Sequence, residues 1–144
     1  MLSKKTQYAL YALTHLAKQY GKGPVLISKI AEDEKIPKKF LEGILLELRN
    51  KAIVSSKKGR GGGYYLLKRP EDVSLVEVIR GFDGAIALLP CVSEKYYEEC
   101  TSCRDESTCG IKAIMKEVRD KTVELLSNNT LADIIEKENM LKNI

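Results

Sequence analysis

The chain has 144 residues, of which 44% are hydrophobic and 31% charged, and its formal net charge is +4. That length suits one domain, or one domain with an extension, and about two-thirds of the unfolded surface can be buried on folding, so a real hydrophobic core is expected. No apolar run approaches a membrane span and the N-terminus lacks the pattern of a secretory signal, which points to a cytoplasmic protein with no membrane partner.

In chain order, residues 3–20 form the first predicted helix, with Ala9, Leu13, Leu16, Ala17 and Tyr20 at helical spacing. Gly21, Gly23 and Pro24 end it. Val25-Leu26-Ile27 reads as a very short strand, and Ser28 as the N-cap of a short helix running to Glu34. Pro37 suits the first turn of the next helix. The apolar face of that helix is Phe40, Leu41, Ile44, Leu45 and Leu48, and its opposite face opens with Lys38, Lys39 and Glu42. Two short helices joined by a tight turn, the second polar in its first turn, make a helix-turn-helix.

Residues 53–57 and 64–68 read as strands joined by the basic, glycine-rich link 58–63, a hairpin with a flexible tip, or wing. Ser74-Leu75-Val76-Glu77 reads as a capping box that starts a helix closed by Gly81 to Gly84. Residues 90–108 have no apolar periodicity. A long helix is predicted from about Cys109 to Leu126, with Ile111, Ile114, Met115, Val118, Leu125 and Leu126 in a nearly heptad stripe suited to packing on its own copy. Asn128-Asn129 breaks it, and Thr130 to Asp133 caps a last short helix. The predicted class is mostly α with a small β wing. It divides into a winged helix-turn-helix domain over 1–84, a cysteine-rich sensor loop over 85–108, and a dimerisation helix with a C-terminal tail over 109–144.

The charge is unevenly spread. Residues 38–69 hold nine basic side chains against Glu42 and Glu47, a local +7 that leaves −3 for the rest of the chain. A basic block on a near-neutral chain is the footprint of a phosphate-backbone binder, although a solvated face has the same composition. In a helix-turn-helix the second helix lies in the major groove with its N-terminal residues at base edges. By spacing these are Pro37, Lys38, Lys39 and Glu42. Lysine can donate to guanine O6 and N7, and glutamate can accept from cytosine N4. In the wing, Gly61, Gly62 and Gly63 would allow close approach to a duplex. Arg60 would then reach a narrow minor groove, and Lys57, Lys58 and Lys68 would hold phosphates. An ordinary loose hairpin is the plainer reading of those glycines. A dinucleotide fingerprint fits poorly, because Tyr64 stands where the last glycine belongs and a strand follows.

Cys91, Cys100, Cys103 and Cys109 fall within nineteen residues, and there are no others. Cytosolic thiols stay reduced, so the cluster reads as metal-binding or redox-active; a secreted disulfide domain is the remaining reading. Thiolates suit zinc and iron–sulfur clusters alike. Two CxxC pairs would favour a structural zinc ribbon, but only Cys100-Thr101-Ser102-Cys103 is present. Uneven spacing on a loop fits a cluster that can be lost as well as filled. Cys109 opens the long helix, whose dipole favours the thiolate. The one histidine, His15, reads as a surface or partly packed residue of the first helix.

Together these features resemble the Rrf-two (Rrf2) family of bacterial winged-helix regulators, which includes the iron–sulfur regulator IscR and the nitric-oxide sensor NsrR. The resemblance covers nearly the whole chain. It rests on residues 8–13, residues 36–48, the wing Gly59-Arg60-Gly61-Gly62-Gly63-Tyr64, and the cysteine loop leading into a long helix. It implies a homodimer built on the long helix, double-stranded DNA with a palindromic operator, and a [2Fe–2S] or [4Fe–4S] cluster on three cysteines. Cys103 and Cys109 match the last two of these and Cys91 the first, while Cys100 is an extra thiol that could supply a fourth ligand. IscR-like members carry a histidine three residues after the last cysteine, where this chain has Lys112. NsrR-like members carry a carboxylate near the start of the first helix, where it has Gln7. Some members hold no cluster and respond through a partner protein.

The expected function is that of a DNA-binding transcriptional regulator whose operator affinity is modulated by an iron–sulfur cluster. Alternatives are a cluster-free thiol redox switch, a structural zinc, or a dithiol redox enzyme using Cys100 and Cys103. The enzyme reading is disfavoured by the acidic neighbours Glu98, Glu99, Asp105 and Glu106 and by the missing βαβ pattern. No catalytic triad, phosphate loop or HExxH motif is present.

Overall fold

The computed structural model describes residues 1–144. Helix α1 (Lys4–Lys18) starts where Ser3 caps it, the Ser3 hydroxyl accepting from the Thr6 N–H at 3.2 Å. Its buried stripe is Ala9, Ala12, Leu13, Leu16 and Ala17, whereas Tyr20, expected on that stripe, lies beyond the helix end and is exposed. Helix α2 (Ile27–Asp33) begins one residue before Ser28. The cap position is Leu26, with no side-chain hydrogen bond, so the serine does not play its expected role.

Pro37 is the N-cap of α3 (Lys38–Asn50), and its carbonyl accepts from the Leu41 N–H at 2.9 Å. Leu41, Ile44, Leu45 and Leu48 are fully buried. Phe40, assigned to the same face from spacing, instead sits at the edge, where its ring meets Tyr8 edge-on at 5.5 Å between centroids. His15 joins α1 to α2 through Nε2, 3.0 Å from the Asp33 carboxylate.

Strands β1 (Val54–Lys57) and β2 (Gly63–Leu66) pair antiparallel, with Val54 opposite Leu66 and Lys57 opposite Gly63. The strand expected at 25–27 is reduced to one bridge, in which Val25 and Tyr64 exchange backbone hydrogen bonds of 2.7 and 2.8 Å. Helix α4 (Leu75–Asp83) is capped by the Ser74 hydroxyl at 3.3 Å from the Glu77 N–H. The reciprocal half of the expected capping box is absent, because the Glu77 carboxylate pairs with Lys68 at 2.6 Å.

After the cysteine loop come α5 (Gly110–Asn128) and α6 (Leu131–Lys142). A complete capping box of Thr130 and Asp133 starts α6. The two helices behave differently. Leu131 is fully buried in the core built by α1, α3, the hairpin and Val73. Its N–H donates to Val73 at 3.1 Å, and the Leu75 N–H donates to Asn129 at 2.9 Å. Helix α6 therefore belongs to the winged-domain core, whereas no residue of α5 is buried. The stripe on α5 lies open, with Ile111 and Leu125 each 65% exposed. The fold is mostly α with a small β wing, and no helix is long and apolar enough to cross a membrane.

Candidate nucleic-acid interface and cysteine cavity

Burying one stripe of α3 fixes what the other side presents. Pro37, Lys38, Lys39 and Glu42 are all exposed, and so are Lys57, Lys58, Arg60 and Gly61 of the wing. None of the five cations Lys38, Lys39, Lys57, Lys58 and Arg60 is paired with a carboxylate. Lys68, expected to hold a phosphate, is instead taken by Glu77. Gly62 is buried: a Cβ there would stand 2.2 Å from the Lys57 carbonyl oxygen, and one on Gly63 would stand 2.3 Å from that of Val25. These two glycines are required by the turn and by the bridge to Val25. That internal need shows only once the hairpin closes.

All four cysteines are free and line one cavity of about 420 Å³, with Leu89, Arg104, Ile111 and Lys112 among the other walls. Cys91 is buried in a 3₁₀ turn, Pro90–Val92. Cys100 is exposed, and Cys103 and Cys109 are half-buried. Cys109 is the N-cap of α5, its Sγ accepting from the Lys112 N–H at 3.4 Å. Burial, and then the neighbouring Cys100, Cys109 and Glu106, push the Cys103 thiol up. Glu106 accepts from the Tyr97 hydroxyl, which raises Tyr97 to about 12, and it also holds Lys112 at 2.7 Å. That hydrogen bond raises Lys112, the residue standing at the histidine position of IscR-like chains. Gln7 is likewise occupied, donating to the Leu2 carbonyl at 3.0 Å.

The donor chemistry fits a soft metal or an iron–sulfur cluster, since four thiols face one space. Their arrangement is not closed: no three or more His, Cys, Asp or Glu groups converge as a ligand set.

Residues 2–137 match the family model Rrf2, described as an iron-dependent transcriptional regulator. The chain belongs to the Rrf2 family. It is 43% identical over 138 residues to an rrf2-like HTH-type transcriptional regulator of Rhodobacter capsulatus, covering 94% of this chain and 92% of that one. The structure of CymR, the global cysteine regulator of B. subtilis, superposes with a TM-score of 0.80 at 27% identity, covering 95% of this chain and 97% of CymR. IscR of T. potens gives a TM-score of 0.75 at 28% identity, covering 96% and 88%. Membership makes this chain a DNA-binding transcriptional regulator and not an enzyme.

Within this Rrf2 regulator the turn that holds Cys91 is tied to α4 and α5 by residues that sequence spacing did not single out. Arg119 of α5 reaches the Val92 carbonyl and, at 3.8 Å, the Glu94 carboxylate. Glu94 also accepts from Arg80 of α4 at 3.2 Å. Three segments thus meet over the Cys91 turn. The only signal in the sequence was charge, and a lone arginine or glutamate carries no spacing.

Proposed function

We propose that this Rrf2 regulator acts in the cytoplasm as a homodimer on a palindromic operator. Pro37, Lys38, Lys39 and Glu42 enter the major groove, and Lys57, Lys58 and Arg60 engage phosphates and the minor groove. Operator affinity is set by an iron–sulfur cluster held at Cys91, Cys103 and Cys109, with Cys100 supplying the fourth position. The units are a reading domain over 1–84, a sensor loop over 85–108, and α5 as the dimer helix. The observation that carries this reading is that all four cysteines line one cavity. The open apolar stripe of α5 supports the dimer.

When bound, such a group supplies a charge and a redox state that respond to oxygen and iron. The chain supplies the rest. Arg119 and Glu94 tie the turn holding Cys91 to α4. A shift of that turn alters α4, and operator affinity changes only as far as the two arrangements differ in affinity for DNA. Anaerobic purification with iron and sulfide assays tests the cluster, and loss of both in Cys91→Ala is expected. Colourless protein holding stoichiometric zinc would overturn it.

The ungathered sulfurs and the likeness to CymR favour a second reading, a cluster-free thiol switch. It is supported if peroxide lowers operator affinity, a thiol reductant restores it, and Cys103→Ser abolishes the response.

A further inference from the structure

Helix α3 contains a glycine that the fold does not require. Gly43 sits inside the helix and is exposed, and a Cβ built on it meets nothing within 4 Å. Alanine at such a site forms helix far better than glycine, so the chain forgoes stability here. The contrast with Gly62 and Gly63, each blocked by backbone atoms, shows what an internal requirement looks like.

Gly43 has a second unusual neighbour. Leu46 is 53% exposed one turn further along. Lys39, Glu42, Gly43 and Leu46 follow helical spacing and are all exposed, so they share one face. That face carries polar ends around a stretch of bare backbone with a leucine beside it. The unpaired cations Lys38 and Lys39 border it and favour a polyanion as its occupant.

We propose that Gly43 and Leu46 form an apolar notch that reads a thymine in the major groove. The missing side chain lets the α3 backbone seat against the base edges, and Leu46 covers the thymine 5-methyl group, the one apolar mark a base pair shows there. The inference rests on α3 being the reading helix, and it adds a base identity and two residues to that assignment.

The test uses the full chain and a duplex that it selects from a randomised pool. Gly43→Ala is expected to raise Tm by about 3 °C. It is also expected to weaken binding to the selected duplex about tenfold, the scale of one wrong base pair. Replacing thymines one at a time by deoxyuridine removes only the methyl group. At one position in each half-site this should weaken the wild type about fourfold and leave Leu46→Ala indifferent. Gly43→Ala binding as tightly as the wild type, or no thymine showing a methyl effect, overturns the notch. Lys39→Ala separates the two levels. If it weakens binding while Gly43→Ala does not, only the notch is wrong; if both bind fully, the reading-helix assignment itself has failed.

Discussion

Arg119 donates from Nη1 to the carbonyl oxygen of Val92 at 2.5 Å, one peptide away from Cys91. The arginine side chain is only 11% exposed, so this charge-assisted bond is shielded from solvent. Arg119→Ala is expected to cost about 1.5 to 3 kcal/mol, read as a lower Tm. It should also speed labelling of Cys91 severalfold in a variant whose other three cysteines are serine. Arg119→Lys should restore little, because an ammonium cannot span Val92 and Glu94 as a guanidinium does. Unchanged labelling in both variants would mean that Arg119 does not hold the turn.

The proposed reading helix, α3, and the wing should respond differently to loss of charge. Lys39→Ala should cost about 1 to 3 kcal/mol on the selected operator and relax preference at one base pair. Lys58→Ala should weaken all duplexes alike and reduce the slope of log affinity against log salt by about 1. Binding titrations at several salt concentrations, on operator and on random DNA, check both.

Asp83 ties the last turn of α4 to the start of α1. It accepts from the Ser3 N–H at 3.1 Å, the Ser3 hydroxyl at 2.5 Å and the Thr6 hydroxyl at 2.7 Å. Desolvation pushes this carboxyl up, but the hydrogen bonds outweigh it and hold it below its ordinary value of 3.8. A depressed folded pKa stabilises above the unfolded pKa, and that contribution is lost as pH falls through the folded value. Asp83→Asn should therefore be less stable by about 1 kcal/mol at neutral pH, and the gap should close below about pH 4. Chemical denaturation at pH 7 and pH 3 measures it; a gap that stays constant with pH would count against the ion.

Two leucines on neighbouring helices should separate folding from assembly. Leu131→Ala removes a fully buried side chain and is expected to cost about 2 to 5 kcal/mol in unfolding. Leu125→Ala, at a position 65% exposed on α5, should change monomer stability by less than about 0.5 kcal/mol. It should nevertheless raise the dissociation constant of the proposed dimer in sedimentation equilibrium.

The helices were legible because their signals are local. The caps Ser74 and Thr130 stand where the sequence puts them, and Leu41, Ile44, Leu45 and Leu48 form the buried stripe expected of α3. The misreadings involve partners from outside the element. Ser28 lost its capping role because α2 starts at Ile27, and Glu77 turned from its own cap to Lys68 on the wing side. Phe40 left the core for the ring of Tyr8. The cysteine loop was visible as a cluster, but its tie to α4 joins Arg119 to Val92, 27 residues away, and Arg80 to Glu94, 14 away. No periodicity announces contacts of that kind.

The segment between Gly84 and Asn129 leaves one end of α4 and is stitched back at the other, through the Leu75–Asn129 and Leu131–Val73 backbone bonds. The departure at Gly84 and the return at Asn129 are separated by the length of that helix, nine residues or about 13 Å. Residues 85–128 thus form one excursion that starts and finishes at the two ends of a single helix. With the proposed sensor housed in that excursion, its length can vary between two fixed joints while α6 stays seated in the core.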